Sequence, residues 1–276
     1  MPKDTPSPQD TTAQTVTITL SRDGVVAPAL RTMRRASEIV AFTLNSLTDA
    51  DLSESPRPKS GSNIGLQFAD EPEGYDRKND FIDWVLERGF RDLAHGVRAS
   101  LEEAYLYINL IRDAGKVTIW GEFEALHDLM KKAANRMNFK NLMREVNAGL
   151  KEPLAFEEEF LSLQKVRNCL EHRHGIVAEI DVDHPNGMRL ALPHTKIFFV
   201  KDGQEIEVAV GQYFKKETAI SIRLDTRERF FSLGSRVSFS GEEFDEIAMG
   251  SWLFASDLAS KLPDMAVAGE LAGGGK

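Results

Sequence analysis

The chain has 276 residues, 42% hydrophobic and 28% charged, which excludes disorder or a fibre for its bulk and suffices for one sizeable core or two small ones. Its formal net charge of -9 argues against a general nucleic-acid coat, so an RNA-handling role would need a local basic patch. The single cysteine, Cys169, permits no internal disulfide. No apolar run approaches the ~20 residues of a membrane span and the N-terminus lacks a signal peptide's apolar centre, so a cytoplasmic protein with no membrane partner is expected.

Residues 1–14 have the polar, Pro- and Thr-containing composition of a disordered tail. Residues 15–20 (TVTITL) then alternate as a half-buried strand does, one expected to pair with distant chain. Pro28 suits the first turn of a helix whose inward stripe is Leu30, Met33, Ile39, Val40, Leu44 and Leu47, with Arg31, Arg34 and Arg35 on its solvated side. Residues 51–74 are rich in Pro, Ser and Gly and read as an exposed loop.

From residue 76 to 114, Leu86, Phe90, Leu93, Val97, Leu101, Ala104, Ile108 and Ile111 recur every three or four positions, predicting a long helix with Gly89 or Gly96 as the place for any bend. His95 borders that stripe and, with nothing reactive beside it in sequence, reads as a hydrogen-bonded structural histidine. A further helix has Ile119, Trp120, Phe123, Leu126, Met130 and Met137 inward, followed by Phe139, Leu142 and Met143. Lys132, Arg136, Lys140 and Arg144 recur every four residues with no acidic residue among them. If the helix continues through Asn138 they form a basic stripe fit for an RNA backbone; a solvated face is the plainer reading.

The next helix is expected to begin near Pro153 and stop at Gly175, with Phe156, Phe160, Leu163, Val166 and Leu170 on its buried stripe. Arg167, Asn168, Glu171, His172, Arg173 and His174 crowd its last turns. Asn168 and His172 are neighbours on one face and Arg167 borders it, so a permanent cation, an amide and an imidazole can address one phosphodiester. The run Arg167-Asn168-Cys169-Leu170-Glu171-His172 resembles the signature of the HEPN family, an Arg followed four to six residues later by His, with a polar residue, often Asn, directly after the Arg. The resemblance covers this helix and, loosely, the helical region before it. It implies a metal-independent RNA endonuclease without cofactor, in which Arg167, Asn168 and His172 are catalytic, Glu171 and His174 support them, and the motif helices of a homodimer face each other to build a composite site. Toxin, antiviral-defence or RNA-processing settings are implied with it.

Two other readings stand beside this one. Arg167 and Glu171 can pair at i, i+4, with His172 capping the final carbonyls and Asn168 tying down a neighbour, which would suit a non-catalytic HEPN-like module binding a protein partner or a nucleotide. His172 and His174 form an H-x-H, with Glu171, His184 and His194 as further donors, but residues two apart on a helix diverge by about 200°, so no metal site is expected unless the helix ends between them. Cys169 reads as small buried filler rather than as a catalytic thiol.

Beyond Gly175 the period changes to two. Residues 176–182 and 188–192 flank an Asn-Gly hairpin signal, 195–200 and 204–210 flank Lys201-Asp202-Gly203, and 218–224 and 229–233 are further strands. Ser240-Gly241-Glu242-Glu243 is a capping box opening a final helix with Phe244, Ile247, Leu258 and Leu262 inward. The expected fold class is α+β: a HEPN-like helical bundle over 15–175, then an antiparallel β-sheet and closing C-terminal helix over 176–262, with a flexible tail over 263–276.

Overall fold

The computed structural model describes residues 14–16, 19–53, 72–113, 119–208, 212–214, 216–264 and 271–273. Among them, helices α1 (Arg22–Thr48), α2 (Arg77–Asp113), α3 (Trp120–Arg136), α4 (Phe139–Gly149), α5 (Glu157–Arg173) and α6 (Gly241–Lys261) accompany strands β1 (Gln14–Val16), β2 (Gly187–Lys201), β3 (Gln204–Glu207), β4 (Ser221–Ser232) and β5 (Leu271–Gly273). The class is α+β. The contacts divide the described residues into two compact units that interleave along the chain, one within Met1–Pro28, Arg98–Ala155 and Ala255–Lys276, the other within Ala29–Val97 and Phe156–Phe254. No helix among the described residues is long and apolar enough to cross a membrane.

In the first unit, Leu106, Leu110 and Met130 are buried together, with Leu20, Tyr105, Phe123 and Leu126 packed against them. The backbone turns extended at Met137 and Asn138, and the Asn138 side chain accepts the Asn141 N–H at 2.8 Å, which ends α3 and caps α4. Arg98 fastens this break by donating to the Met137 carbonyl at 2.9 Å. The helix therefore does not run through Asn138: Lys132 and Arg136 end α3, while Lys140 and Arg144 open α4, all four exposed.

Farther on, the Leu154 N–H donates to Asn147 Oδ1 at 2.9 Å and the Ala155 N–H to Asp257 Oδ2 at 3.0 Å. These side chains hold the backbone amides outside any helix, so α5 starts at Glu157 and not near Pro153. β1 pairs antiparallel with β5, with Thr15 opposite Ala272. The N-terminal strand thus finds distant chain over 14–16, and the tail expected to be flexible carries its partner. Residues 1–13 and 54–71, the bulk of the expected tail and loop, lie outside the described residues.

α1 begins at Arg22 and includes Pro28, six residues earlier than Pro28 alone predicts. The Ser21 hydroxyl accepts the Gly24 N–H and opens the helix, which carries Pro28 in its interior without the N–H that would bond the Gly24 carbonyl. In the second unit, its inward stripe is Ala29, Ala36, Val40 and Leu47, while Ile39 is 51% exposed. Small residues win these positions because α2 comes close: a Cβ on Gly96 would lie 3.2 Å from the Ala29 Cα. α2 is one continuous helix through Gly89 and Gly96, and at both glycines a neighbouring group comes within contact of the place a Cβ would take.

The three-stranded sheet has the order β3-β2-β4 and is antiparallel throughout. Asp202 and Gly203, at φ 53° and 79°, form the two-residue turn joining β2 to β3 as expected. The earlier hairpin does not form. Arg173 and the Ala178 N–H both draw on the Asp181 carboxylate, which folds Glu179–Asp181 into a 3-10 turn, so the Asn186 turn leads into β2 without a preceding strand. β2 is one strand through Pro193 rather than two. The Arg189 N–H donates to Asp183 and the Ala191 N–H to Ser162, both away from β4, so alternation puts Pro193 where no β4 ladder donor is lost. In α6 the Ser240 capping box closes reciprocally, at 3.0 and 3.1 Å, and Phe244 and Ile247 are buried as predicted.

Gly89 marks the tightest packing in this unit, since a Cβ there would lie 2.8 Å from the Phe244 ring and 2.9 Å from Val40 Cγ2, both side chains being buried. Gly89→Ala is expected to destabilise the fold by about 1–2 kcal/mol, overpacking outweighing the gain in helix propensity. Denaturant unfolding checks it; the midpoint should fall with the slope unchanged.

Candidate functional site

The presentation of α5 follows from what its other side buries. Phe160, Leu163, Val166, Cys169 and Leu170 are buried, and α5 packs against β2. Ser162, itself buried, accepts the Ala191 N–H at 3.1 Å, buried Glu159 accepts from the Thr226 hydroxyl, and Lys165 pairs with Asp183. These polar ties to the sheet fix the helix about its own axis. At its C-terminus Arg173 Nε donates to Asp181 Oδ2 at 2.6 Å, and the chain leaves through His174 and Gly175, both left-handed, with the Gly175 N–H on the Cys169 carbonyl at 3.1 Å.

The opposite side carries a compact polar cluster. Arg167 Nη2 lies 2.6 Å from Glu171 Oε2, Arg167 Nη1 donates to Asn168 Oδ1 at 3.1 Å, and Gln164 Nε2 donates to the same oxygen at 3.1 Å. α2 adds a member absent from the motif: His95 Nε2 is 2.9 Å from Glu171 Oε1 and 3.3 Å from both Nε and Nη2 of Arg167. Burial, the largest influence on Glu171, pushes its carboxyl pKa up, but the His95 hydrogen bond and the Arg167 charge together hold it below the ordinary glutamate range. Two contacts compete for His95 Nε2: Arg167 Nε can donate to it at 3.3 Å, whereas the ionised Glu171 carboxylate at 2.9 Å only accepts and calls for a proton there; the shorter, charge-assisted contact assigns the proton to Nε2.

The sequence-predicted residues divide as follows. Arg167, Asn168 and Glu171 are half-buried and mutually bonded, as the pairing of Arg167 with Glu171 anticipates. His172 is exposed and makes no hydrogen bond or ion pair among the described residues, so it does not cap the helix. His174 is exposed past the helix end. The helix does end between His172 and His174, yet among the described residues no group of three or more His, Cys, Asp or Glu is placed to hold a metal. His194, one of the suggested further donors, lies within β2 with its side chain 12% exposed, engaged by Glu246 at 2.9 Å and by Arg227. Burial, first, and then the Asp181 charge push the Cys169 thiol pKa up, which suits packing and not nucleophilic chemistry. The four basic residues Lys132, Arg136, Lys140 and Arg144 belong to the first unit and the motif cluster to the second.

His95 is hydrogen-bonded, as read from the sequence, but its partners come from α5 and not from its own surroundings on α2. Its neighbours on the stripe, Leu93 and Val97, are buried, while its own side chain is 55% exposed at the flank. Spacing along α2 places it on that flank, but only the folded chain brings Glu171 to it. No family model, curated protein or solved structure matches the chain.

Because Glu171 ionises more readily in the folded chain, its pairing stabilises the fold above the ordinary glutamate range, and that stability is lost as pH falls through the folded value. Glu171→Gln should therefore cost about 1–2 kcal/mol at neutral pH. Its difference from the wild type should shrink on acidification, as followed by denaturant unfolding across pH; a difference independent of pH would contradict the assignment.

Proposed function

We propose that the exposed side of α5 is a metal-independent RNA-cleaving site of HEPN type, working in a homodimer, with Arg167, Asn168 and His172 on the phosphodiester. The observation that carries the reading is His172: an exposed imidazole that makes no hydrogen bond or ion pair among the described residues, four residues after Asn168 on one helix face, with the Arg167 guanidinium oriented by Glu171 and Asn168 on the turn before it. Residues at this spacing have Cβ atoms about 5–6 Å apart, so one phosphate can meet both Asn168 and His172, and the long Arg167 side chain, which already reaches the Asn168 oxygen, borders that face.

In the reaction the ribose 2′-oxygen attacks its own phosphorus as its proton leaves, the bond to the 5′-oxygen breaks, and that oxygen takes up a proton. The products are a 2′,3′-cyclic phosphate and a 5′-hydroxyl. His172 transfers a proton to or from the reacting oxygens, Arg167 meets the charge growing on the phosphate, and Asn168 positions the phosphate. Glu171 orients Arg167, and His174 stands at the helix end as a further exposed imidazole. A second copy of the motif helix across a two-fold axis would duplicate these groups around one phosphate. Lys132, Arg136, Lys140 and Arg144, all exposed, are the proposed contacts to the RNA backbone, each pair on its own helix. A cytoplasmic toxin, defence or RNA-processing setting goes with the HEPN reading.

A second reading has its own support. The 2.6 Å pair between Arg167 and Glu171, and an Asn168 oxygen that among the described residues accepts from Gln164 and Arg167 of its own helix, also suit a non-catalytic module that binds a protein partner or a nucleotide.

The deciding measurement is cleavage of RNA by purified protein in EDTA. Activity that survives chelation and leaves 2′,3′-cyclic phosphate ends is expected, with His172→Ala lowering kcat/KM by about 10²–10⁴-fold. No cleavage with or without added metal would favour the binding module. Replacing the four basic residues by Glu should weaken RNA binding and flatten its dependence on salt. An equal affinity and salt slope would remove them from the interface.

A further inference from the structure

We propose that His95 is a second proton-transfer group of this site, held by Glu171 so that its Nδ1 accepts the proton of the attacking ribose hydroxyl. This rests on the RNA-cleavage reading above and adds to it a catalytic residue from outside the motif. The geometry is that of a carboxylate and an imidazole in partnership. Glu171 Oε1 lies 2.9 Å from Nε2, which fixes the proton on that nitrogen and leaves the lone pair on Nδ1. Nδ1 makes no hydrogen bond among the described residues, and the side chain is 55% exposed, so that nitrogen is open to a substrate hydroxyl.

The surrounding charges suit the step. Arg167, 3.3 Å from the imidazole and 2.6 Å from Glu171, brings the cation that would hold the phosphate next to the base that would activate its neighbouring hydroxyl. On α2 itself Arg91 bonds to its own helix at the Glu87 carbonyl, and Asp92 is taken up by Arg35 of α1 at 2.9 Å, so among the described residues Glu171 is the carboxylate paired with His95. When Nδ1 takes the 2′-hydroxyl proton, the bond from the 2′-oxygen to phosphorus forms and the bond to the 5′-oxygen breaks. The leaving oxygen is protonated by His172. Glu171 then faces an imidazolium, whose charge it offsets. In this scheme Glu171 is a positioning residue and one chain carries base, acid and cation.

The test is the pH profile of kcat/KM for cleavage of a short RNA in EDTA, compared among wild type, His95→Gln and His95→Ala. Wild type should give a bell, and His95→Gln should lose about 10²–10⁴-fold together with the acidic limb, at an unchanged unfolding midpoint. Imidazole added to His95→Ala should restore part of the rate. Full activity with both limbs in His95→Gln would overturn this proposal while leaving RNA cleavage standing. A lower rate with both limbs intact and no rescue would reduce His95 to a structural contact. A wild type that cuts no RNA sinks the parent reading first, before any substitution is compared.

Discussion

The rotation of α5 about its own axis is the constraint on which the rest of the candidate site depends. A helix offers its residues at 100° intervals, so fixing one side fixes every other. Here the fixed side is docked on β2 through apolar residues and through polar ties that tolerate little sliding, with Ser162 capping a strand amide and Glu159 receiving the Thr226 hydroxyl. A buried donor or acceptor that loses its partner costs about 1–3 kcal/mol, so a rotated α5 would leave Ser162, Glu159 and Ala191 unmatched at once.

With that side fixed, Glu171 becomes the centre of charge on the other. It lies within reach of both the Arg167 guanidinium and the His95 imidazole, and the three groups come from two helices distant in sequence. An exposed ion pair at i, i+4 is worth only about 0.3–0.5 kcal/mol. Side chains only 19% and 25% exposed, and a second partner from α2, give this one a defined geometry rather than a fluctuating surface contact. The same carboxylate both orients a cation and fixes an imidazole tautomer, which is why its removal tests structure and chemistry together.

The last turn of α5 is shaped by a different device. Arg173 clamps Asp181 while His174 and Gly175 adopt positive φ, so the chain turns away directly after the helix, and the His172 side chain makes no hydrogen bond or ion pair among the described residues. The Arg173 clamp also bends 179–181 and removes a strand from the sheet. One ion pair thereby sets both where the helix face ends and how the chain enters β2.

Periodicity and termini were legible from the residues alone. The stripe from Leu86 to Ile108, the Ser240 capping box, the Asp202-Gly203 turn and the Arg167–Glu171 pairing all depend on residues within a few positions of one another, and each appears where its spacing puts it. The sequence determined an α+β chain and a helix whose last turns carry an arginine, an amide and an imidazole. What only the tertiary structure decided are the partners: the start of α5, because Asn147 and Asp257 capture the preceding amides; the inward stripe of α1, because α2 approaches it through Gly96; and the place of His95, because Glu171 stands 76 positions away in the chain and 2.9 Å away in space. Local spacing governs which residues of one element share a face, whereas long-range packing governs which faces meet, and no single-element pattern carries that second kind of information.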